Sequence, residues 1–237
     1  MSRGVFVTGT DTEIGKTHVS CTLLRGLIAN DVAAVGMKPV ASGARQTATG
    51  LRNEDAEALI AAAGFGGAYA DVNPYVFADP IAPHLAAREN AACISIAQIR
   101  AAHARLATGN RFVVVEGVGG WLAPLGDDLM QSDLVRSLDV PVILVVGMRL
   151  GCINHAVLTA RAIAEDGCRL MGWIANRMDP DMLRFEANIE SIRQRIHAPL
   201  LGTMDHAEDP AASIRPHALE AAVRMLGNPT YQTPQSG

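Results

Sequence analysis

Gly9-Thr10-Asp11-Thr12-Glu13-Ile14-Gly15-Lys16-Thr17 is the stretch from which the rest of this chain is read. It follows the short apolar run Val5-Phe6-Val7 and opens into Val19–Ile28, a segment of helical character. A strand, a glycine-bearing loop ending in Gly-Lys-Thr and then a helix form the local architecture of a phosphate cradle. Backbone N–H groups and the helix N-terminus bind phosphate in such a loop. Lys16 would reach the β/γ oxygens, and the Thr17 hydroxyl would ligate Mg²⁺. One position departs from G-x-x-x-x-G-K-[ST]: Thr10 stands where the first glycine belongs, and Gly9 falls one residue early. A plain glycine turn would not need Lys and Thr directly after it.

Working outward, the apolar runs Val32–Met37, Arg111–Glu116, Pro141–Gly147, Leu170–Ala175 and Pro199–Gly202 predict further strands. Helical segments separate them: Glu54–Ala63 with Asn53 as N-cap, Ser95–Ala107, Ala156–Glu165, Asp181–Ile196 and His217–Met225. Alternating strands and helices imply an α/β domain with mostly parallel strands. Residues 40–53 read as an irregular polar loop. Residues 65–90, with Asn73-Pro74-Tyr75-Val76-Phe77 and Pro83-His84, read as an ordered loop over a site. One domain spans residues 1–227, and 228–237 are expected to be a disordered tail.

The chain has 237 residues, 49% of them hydrophobic and only 4% aromatic, which suits helices packed on a buried parallel sheet. A net charge of −4 offers no basic field to nucleic acid or to an anionic membrane. Cys21, Cys93, Cys152 and Cys168 are widely spaced, as expected of reduced thiols in a cytoplasmic protein. Of 20 basic residues only Lys16 and Lys38 are lysine. A compact point charge is what lysine supplies and arginine does not, so both are candidates for chemistry. Both follow predicted strands, and Pro39 holds Lys38 at a carboxyl edge. Glu116 ends another strand and leads into Gly117-Val118-Gly119-Gly120-Trp121. Ligands bind beyond such strand ends in doubly wound sheets, so Glu116 is a candidate Mg²⁺ or phosphate contact.

Gly9–Thr17, Lys38–Gly43 (KPVASG), Asn73–Phe77 with Pro83-His84, Glu116–Trp121, Pro141–Asn154 (PVILVVGMRLGCIN) and Gly172–Asn176 (GWIAN) together resemble the dethiobiotin synthetases. The pieces run in collinear order from residue 4 to about 202. The resemblance implies a P-loop-type domain with a mostly parallel seven-stranded sheet flanked by helices. It also implies a homodimer whose substrate site lies at the subunit interface. The implied reaction joins 7,8-diaminopelargonate and CO₂ into a cyclic urea with ATP and Mg²⁺. By the same resemblance Glu13, Ile14, Gly15, Lys16, Thr17, His18, Asp55, Glu116, Gly117, Val118 and Gly119 bind ATP. Asn176 lies at the adenine edge, with Arg177 beside it and Glu208 as the ribose contact. Thr17, Asp55 and Glu116 hold Mg²⁺, and Lys16 and Lys38 are catalytic. Thr12, Ser42, Gly151, Cys152 and Asn154 bind the diamine substrate, Cys152 through its backbone. Thr203–His206 and Asn188 depart from the family pattern.

The competing reading is a partition-type ATPase switch. Such switches carry a second lysine near Asp11 or Thr12, which this chain lacks. A guanine-specific switch is excluded, because Asn-Lys-x-Asp cannot be built from these two lysines.

Overall fold

The computed structural model describes residues 3–205 and 219–227. The first half contains β1 (Gly4–Gly9), α1 (Lys16–Ala29), β2 (Ala34–Met37), β3 (Val40–Ser42), β4 (Arg45–Thr47), β5 (Gly50–Arg52) and α2 (Glu54–Ala63). The chain continues through α3 (Tyr69–Val72), β6 (Tyr75–Phe77), α4 (Pro83–Glu89), α5 (Ile96–Leu106) and β7 (Phe112–Glu116). It then forms α6 (Gln131–Leu138), β8 (Val142–Met148), α7 (Cys152–Glu165), β9 (Leu170–Arg177), α8 (Phe185–Arg193), β10 (Leu200–Met204) and α9 (Glu220–Gly227).

Six strands form one parallel sheet in the order β10-β9-β8-β1-β7-β2. Alternate residues of a strand face opposite sides, and here each side has its own core. Val5, Val7, Phe112, Val114, Ile143 and Val145 pack with α1, α2 and α9. Phe6, Val113, Val115 and Val142 pack with α5 and α6 on the other face. Burial on both faces explains why these strands read as continuous apolar runs. The chain leaves β1 for β2 on one side and later reaches β8 on the other. The switch therefore falls at the carboxyl end of β1, where the loop Gly9–Thr17 begins.

The six strands of the sheet are those the apolar runs predict. The seventh implied by the resemblance is not in this sheet among the described residues. Pro39 has no N–H, and the Lys38 N–H donates to Val72 O at 2.8 Å instead of to a neighbouring strand. Beyond it, β3 departs to pair in parallel with β6 as a separate two-stranded unit. Residues 40–53 are accordingly not an irregular loop: they hold β3 and the hairpin β4–β5, and Val40 and Ala41 are buried. Residues 65–90 are also more regular than a loop, containing α3, β6 and α4.

Asn53 caps α2 as expected, its side chain accepting from the Ala56 N–H. Helix α1 begins at Lys16, three residues before the apolar pattern does, because Gly15 turns left-handed (φ 85°) and starts it. Helix α8 is shorter than Asp181–Ile196, since Arg184 at φ 57° interrupts it. Glu208 and the tail 228–237 lie outside the described residues.

Candidate active site

The loop from β1 to α1 shows why its first glycine is displaced. Ile14, 2% exposed, folds back over the start of the loop. A Cβ on Gly9 would sit 2.7 Å from Ile14 Cδ1, and one on Gly147 of β8 would sit 2.7 Å from Ile14 Cγ2. Two glycines on neighbouring strands therefore make the slot for Ile14. Thr10 is free to be a hydroxyl residue: its Oγ1 accepts the Gly147 N–H at 3.3 Å, and its own N–H donates to Val145 O. Asn176, at the end of β9, donates from Nδ2 to Ile14 O at 2.8 Å. The expected adenine contact thus also braces the phosphate loop. Gly15 must lack a side chain here, because a Cβ would approach Asn176 Nδ2 to 2.3 Å.

Beyond the loop, four of the candidate side chains, from four segments, converge. Lys38 Nζ donates to Glu116 Oε1 at 2.6 Å, to Asp55 Oδ2 at 2.7 Å and to Gly117 O at 3.2 Å. Thr17 Oγ1 lies 2.8 Å from both Asp55 Oδ1 and Glu116 Oε1. A hydroxyl has one proton, so it serves one of these oxygens at a time. The Lys38 and Glu116 side chains are 3% and 0% exposed, whereas Asp55 is 40% exposed and forms the open side. Burial alone would lower the Lys38 pKa, but the charges of Glu116 and Asp55 outweigh it and raise it. Burial likewise pushes Asp55 up, and Lys38 beside it draws it below the usual carboxylate value. Lys16, also buried, donates to Asp11 O at 2.8 Å. Burial, and then repulsion from Lys38, bring its pKa down to about 8.

This donor set fits Mg²⁺. It comprises one hydroxyl and two carboxylates, all hard oxygen, beside a phosphate loop that would bring further oxygens. Among the described residues, Glu116 Oε2 is buried without a hydrogen-bond partner, an acceptor still to be satisfied. Ser42, at the end of β3, also has a buried hydroxyl without a partner among the described residues. Thr12 is exposed at the loop tip, with Oγ1 3.7 Å from where a Gly119 Cβ would lie.

Other candidates are placed differently. Gly151 (φ 95°) starts α7, and Asn154 is exposed on it. The Cys152 side chain faces inward, 1% exposed, near Asn188. Arg149 just before them pairs with Asp11 at 2.6 Å, joining this segment to the phosphate loop. The Arg177 guanidinium stacks on Phe185 at 3.7 Å and donates to Pro180 O. His18 is half-buried in the first turn of α1, where burial lowers its pKa.

Two positioning residues carried no expectation. Asn73 Nδ2 donates to Lys38 O at 2.7 Å and to Tyr75 O, fixing the Lys38 backbone from behind. Gln131, first residue of α6 and 1% exposed, grips the glycine turn at both ends. Its Oε1 accepts the Val118 N–H at 2.7 Å and its Nε2 donates to Gly120 O at 2.8 Å. Trp121 closes the turn by donating from Nε1 to Asp166 Oδ2. The segments read from the sequence leave 131–138 unassigned, so nothing there marked Gln131.

Sheet, loop and the strand-end acid Glu116 define a P-loop ATPase-type α/β domain. A family model described as AAA domain matches residues 3–212. The chain is 53% identical over 91% of its length to the ATP-dependent dethiobiotin synthetase BioD of Xanthomonas oryzae pv. oryzae, covering 96% of that protein. It is 51% identical over 95% of its length to the BioD of Aromatoleum aromaticum, covering 98% of it. This chain belongs to the dethiobiotin synthetase family, whose members are ATP-dependent ligases. Among solved structures it resembles a chain of the MinC:MinD cell division complex of Aquifex aeolicus (TM-score 0.59, 13% identity, covering 100% of this chain and 99% of that one). A ParA family ATPase from Chlorobium tepidum gives TM-score 0.54 and 14% identity, covering 94% of this chain and 91% of that one. These likenesses are of fold alone. Near Asp11 or Thr12, where a switch would carry its lysine, this chain has no lysine, and Asp11 is an acid paired to Arg149.

Proposed function

We propose that this protein closes the cyclic urea of dethiobiotin from 7,8-diaminopelargonate, CO₂ and ATP. The observation that carries the reading is the Lys38 ammonium, buried between Glu116 and Asp55 beside the phosphate loop. Similarity to the BioD proteins supports it. One substrate amine adds to CO₂ and loses a proton, giving a carbamate. A carbamate oxygen takes the γ-phosphoryl group, ADP leaves, and a carbamic–phosphoric anhydride results. The second amine attacks its carbonyl carbon, and phosphate departs as the ring closes.

Phosphoryl transfer depends on placing reactants and neutralising charge on the transferred oxygens. Lys16 would do so from the loop and Lys38 from the strand end, where it also faces the carbamate. The cradle of Ile14 and Gly15, with Glu13, His18 and the Gly117–Gly119 turn, would hold the phosphates, and Asn176 and Arg177 would lie toward the base. Thr17, Asp55 and Glu116 would hold Mg²⁺, which supplies charge neutralisation between phosphates. Thr12 and Ser42 would face the diamine. In a homodimer, Gly151, Cys152 and Asn154 would contact the partner's substrate.

The test is ADP release by purified protein with Mg-ATP, bicarbonate and diaminopelargonate, omitting each in turn, with dethiobiotin followed by mass. Dependence on all three is expected. ADP release unchanged without the diamine would refute the ligase reading.

A further inference from the structure

The two carboxylates and the hydroxyl that suit a divalent cation are also the groups bound to one another and to Lys38. Lys38 Nζ and Thr17 Oγ1 share the same atom, Glu116 Oε1, at 2.6 and 2.8 Å. Asp55 is divided between them, Oδ2 to Lys38 at 2.7 Å and Oδ1 to Thr17 at 2.8 Å. A Mg²⁺ ion binds such oxygens at about 2.0–2.1 Å. It would then stand within roughly 4 Å of an ammonium holding the same oxygen, in a site where charges interact far more strongly than in water. Glu116 Oε2 has no partner among the described residues and can take the ion, yet two cations on one buried carboxylate still repel, and the ammonium is the one on a flexible stem.

We infer that Lys38 is an internal counter-cation that a divalent ion must displace, so that metal entry itself moves the ammonium into its working position. Lys38 has somewhere to go: its third partner is Gly117 O at 3.2 Å, the first carbonyl of the glycine turn. Its backbone stays pinned by Val72 O and Asn73 Nδ2, so only the flexible side chain shifts. The open side is Asp55, whose side chain is 40% exposed, which makes it the point of entry. Two consequences follow. Bare metal binds weakly, since it must break a buried ion pair, and metal carried on a nucleotide binds more readily. The ammonium is also held away from solvent and substrate until the charges it will neutralise are present.

The inference rests on the proposed function for what Lys38 does after displacement, but not for the displacement itself. The test therefore reads metal and lysine, with no turnover. Mn²⁺ binding without nucleotide is followed by the electron paramagnetic resonance signal of the free ion, in the unsubstituted protein and in Lys38→Met. The variant is expected to bind Mn²⁺ at least about tenfold more tightly, having lost the competing charge. Equal or weaker binding by a folded variant overturns the inference. Lys38→Met leaves two buried acids facing each other, so a second measurement uses the unsubstituted protein. With only two lysines, [¹³C]lysine labelling yields two side-chain signals. Saturable Mg²⁺ addition is expected to shift the Lys38 signal more than that of Lys16. A Lys38 signal that stays fixed while metal binding saturates overturns the inference. A protein that makes no dethiobiotin would refute the proposed function and leave this result standing.

Discussion

Replacing Gln131 with Met keeps the volume and the helix-forming character of the side chain but removes both ends of its grip on the glycine turn. The Val118 N–H and the Gly120 carbonyl lose their partners at 2.7 and 2.8 Å. An unsatisfied buried polar group costs about 1–3 kcal/mol. Both bonds are only part-buried, so water recovers some of this, and about 1–3 kcal/mol for the pair is the expected loss. In a chain of 237 residues this lowers Tm by roughly 2–4 °C per kcal/mol, hence about 2–12 °C in total. Urea unfolding measures it directly, as a lower midpoint with an unchanged slope. Relaxation of the turn should also lower kcat by about tenfold or more, because small misplacements near transferred phosphate are costly. A stability loss under about 0.5 kcal/mol, with kcat intact, would mean that Gln131 merely fills space and the turn holds itself.

Three other outcomes follow from particular contacts. Gly15→Ala puts a Cβ 2.3 Å from Asn176 Nδ2 at φ 85°, so nucleotide affinity should drop by about tenfold or more in titration calorimetry. His103 on α5 is 3% exposed with no partner for Nε2 among the described residues, and burial pulls its pKa from 6.5 down to about 4. The unfolded chain therefore binds a proton that the folded one refuses between those values. Stability is full above about pH 6.5 and falls by about 2–3 kcal/mol towards pH 4; His103→Phe should flatten that part of the pH profile. Burial raises the Cys21 thiol to about 12 and also raises Cys152 and Cys168, while Cys93 is exposed. One thiol should react quickly with Ellman's reagent at pH 8, and all four after denaturation.

What could be read from the sequence is what local patterns carry. Five strands of the sheet were visible because burial on both faces makes them largely apolar, and the edge strand β10, only partly buried, showed through the short run Pro199–Gly202. Lys16, Thr17 and Glu116 were visible because a phosphate loop and a strand-end acid sit at fixed offsets from such runs. Lys38 was visible because lysine is rare in this chain. Asp55 was not, since an acid in the first turn of a helix beginning Glu54-Asp55-Ala56-Glu57 looks like ordinary dipole stabilisation, and only the resemblance picked it out. Pairing of β3 with β6 depends on a contact across more than 30 residues, which no window of sequence contains. Gln131 and Asn73 work by bonding to distant backbone, and an amide carries no mark of its partner. The displaced glycine became intelligible only with Ile14 seen lodged between Gly9 and Gly147.

The two lysines are both buried, at 6% and 2% exposure, and arginine covers the surface. The protein therefore shows almost no side-chain amine to amine-directed reagents, and crosslinkers or dyes of that chemistry should label it poorly. An acyl phosphate of ADP, which docks by its nucleotide and transfers the acyl group to a nearby amine, meets the opposite situation. Every lysine it could modify lies at the phosphate end of the site, so labelled peptides should map to residues 16 and 38 alone. Scarcity on the surface thus becomes selectivity in the cleft.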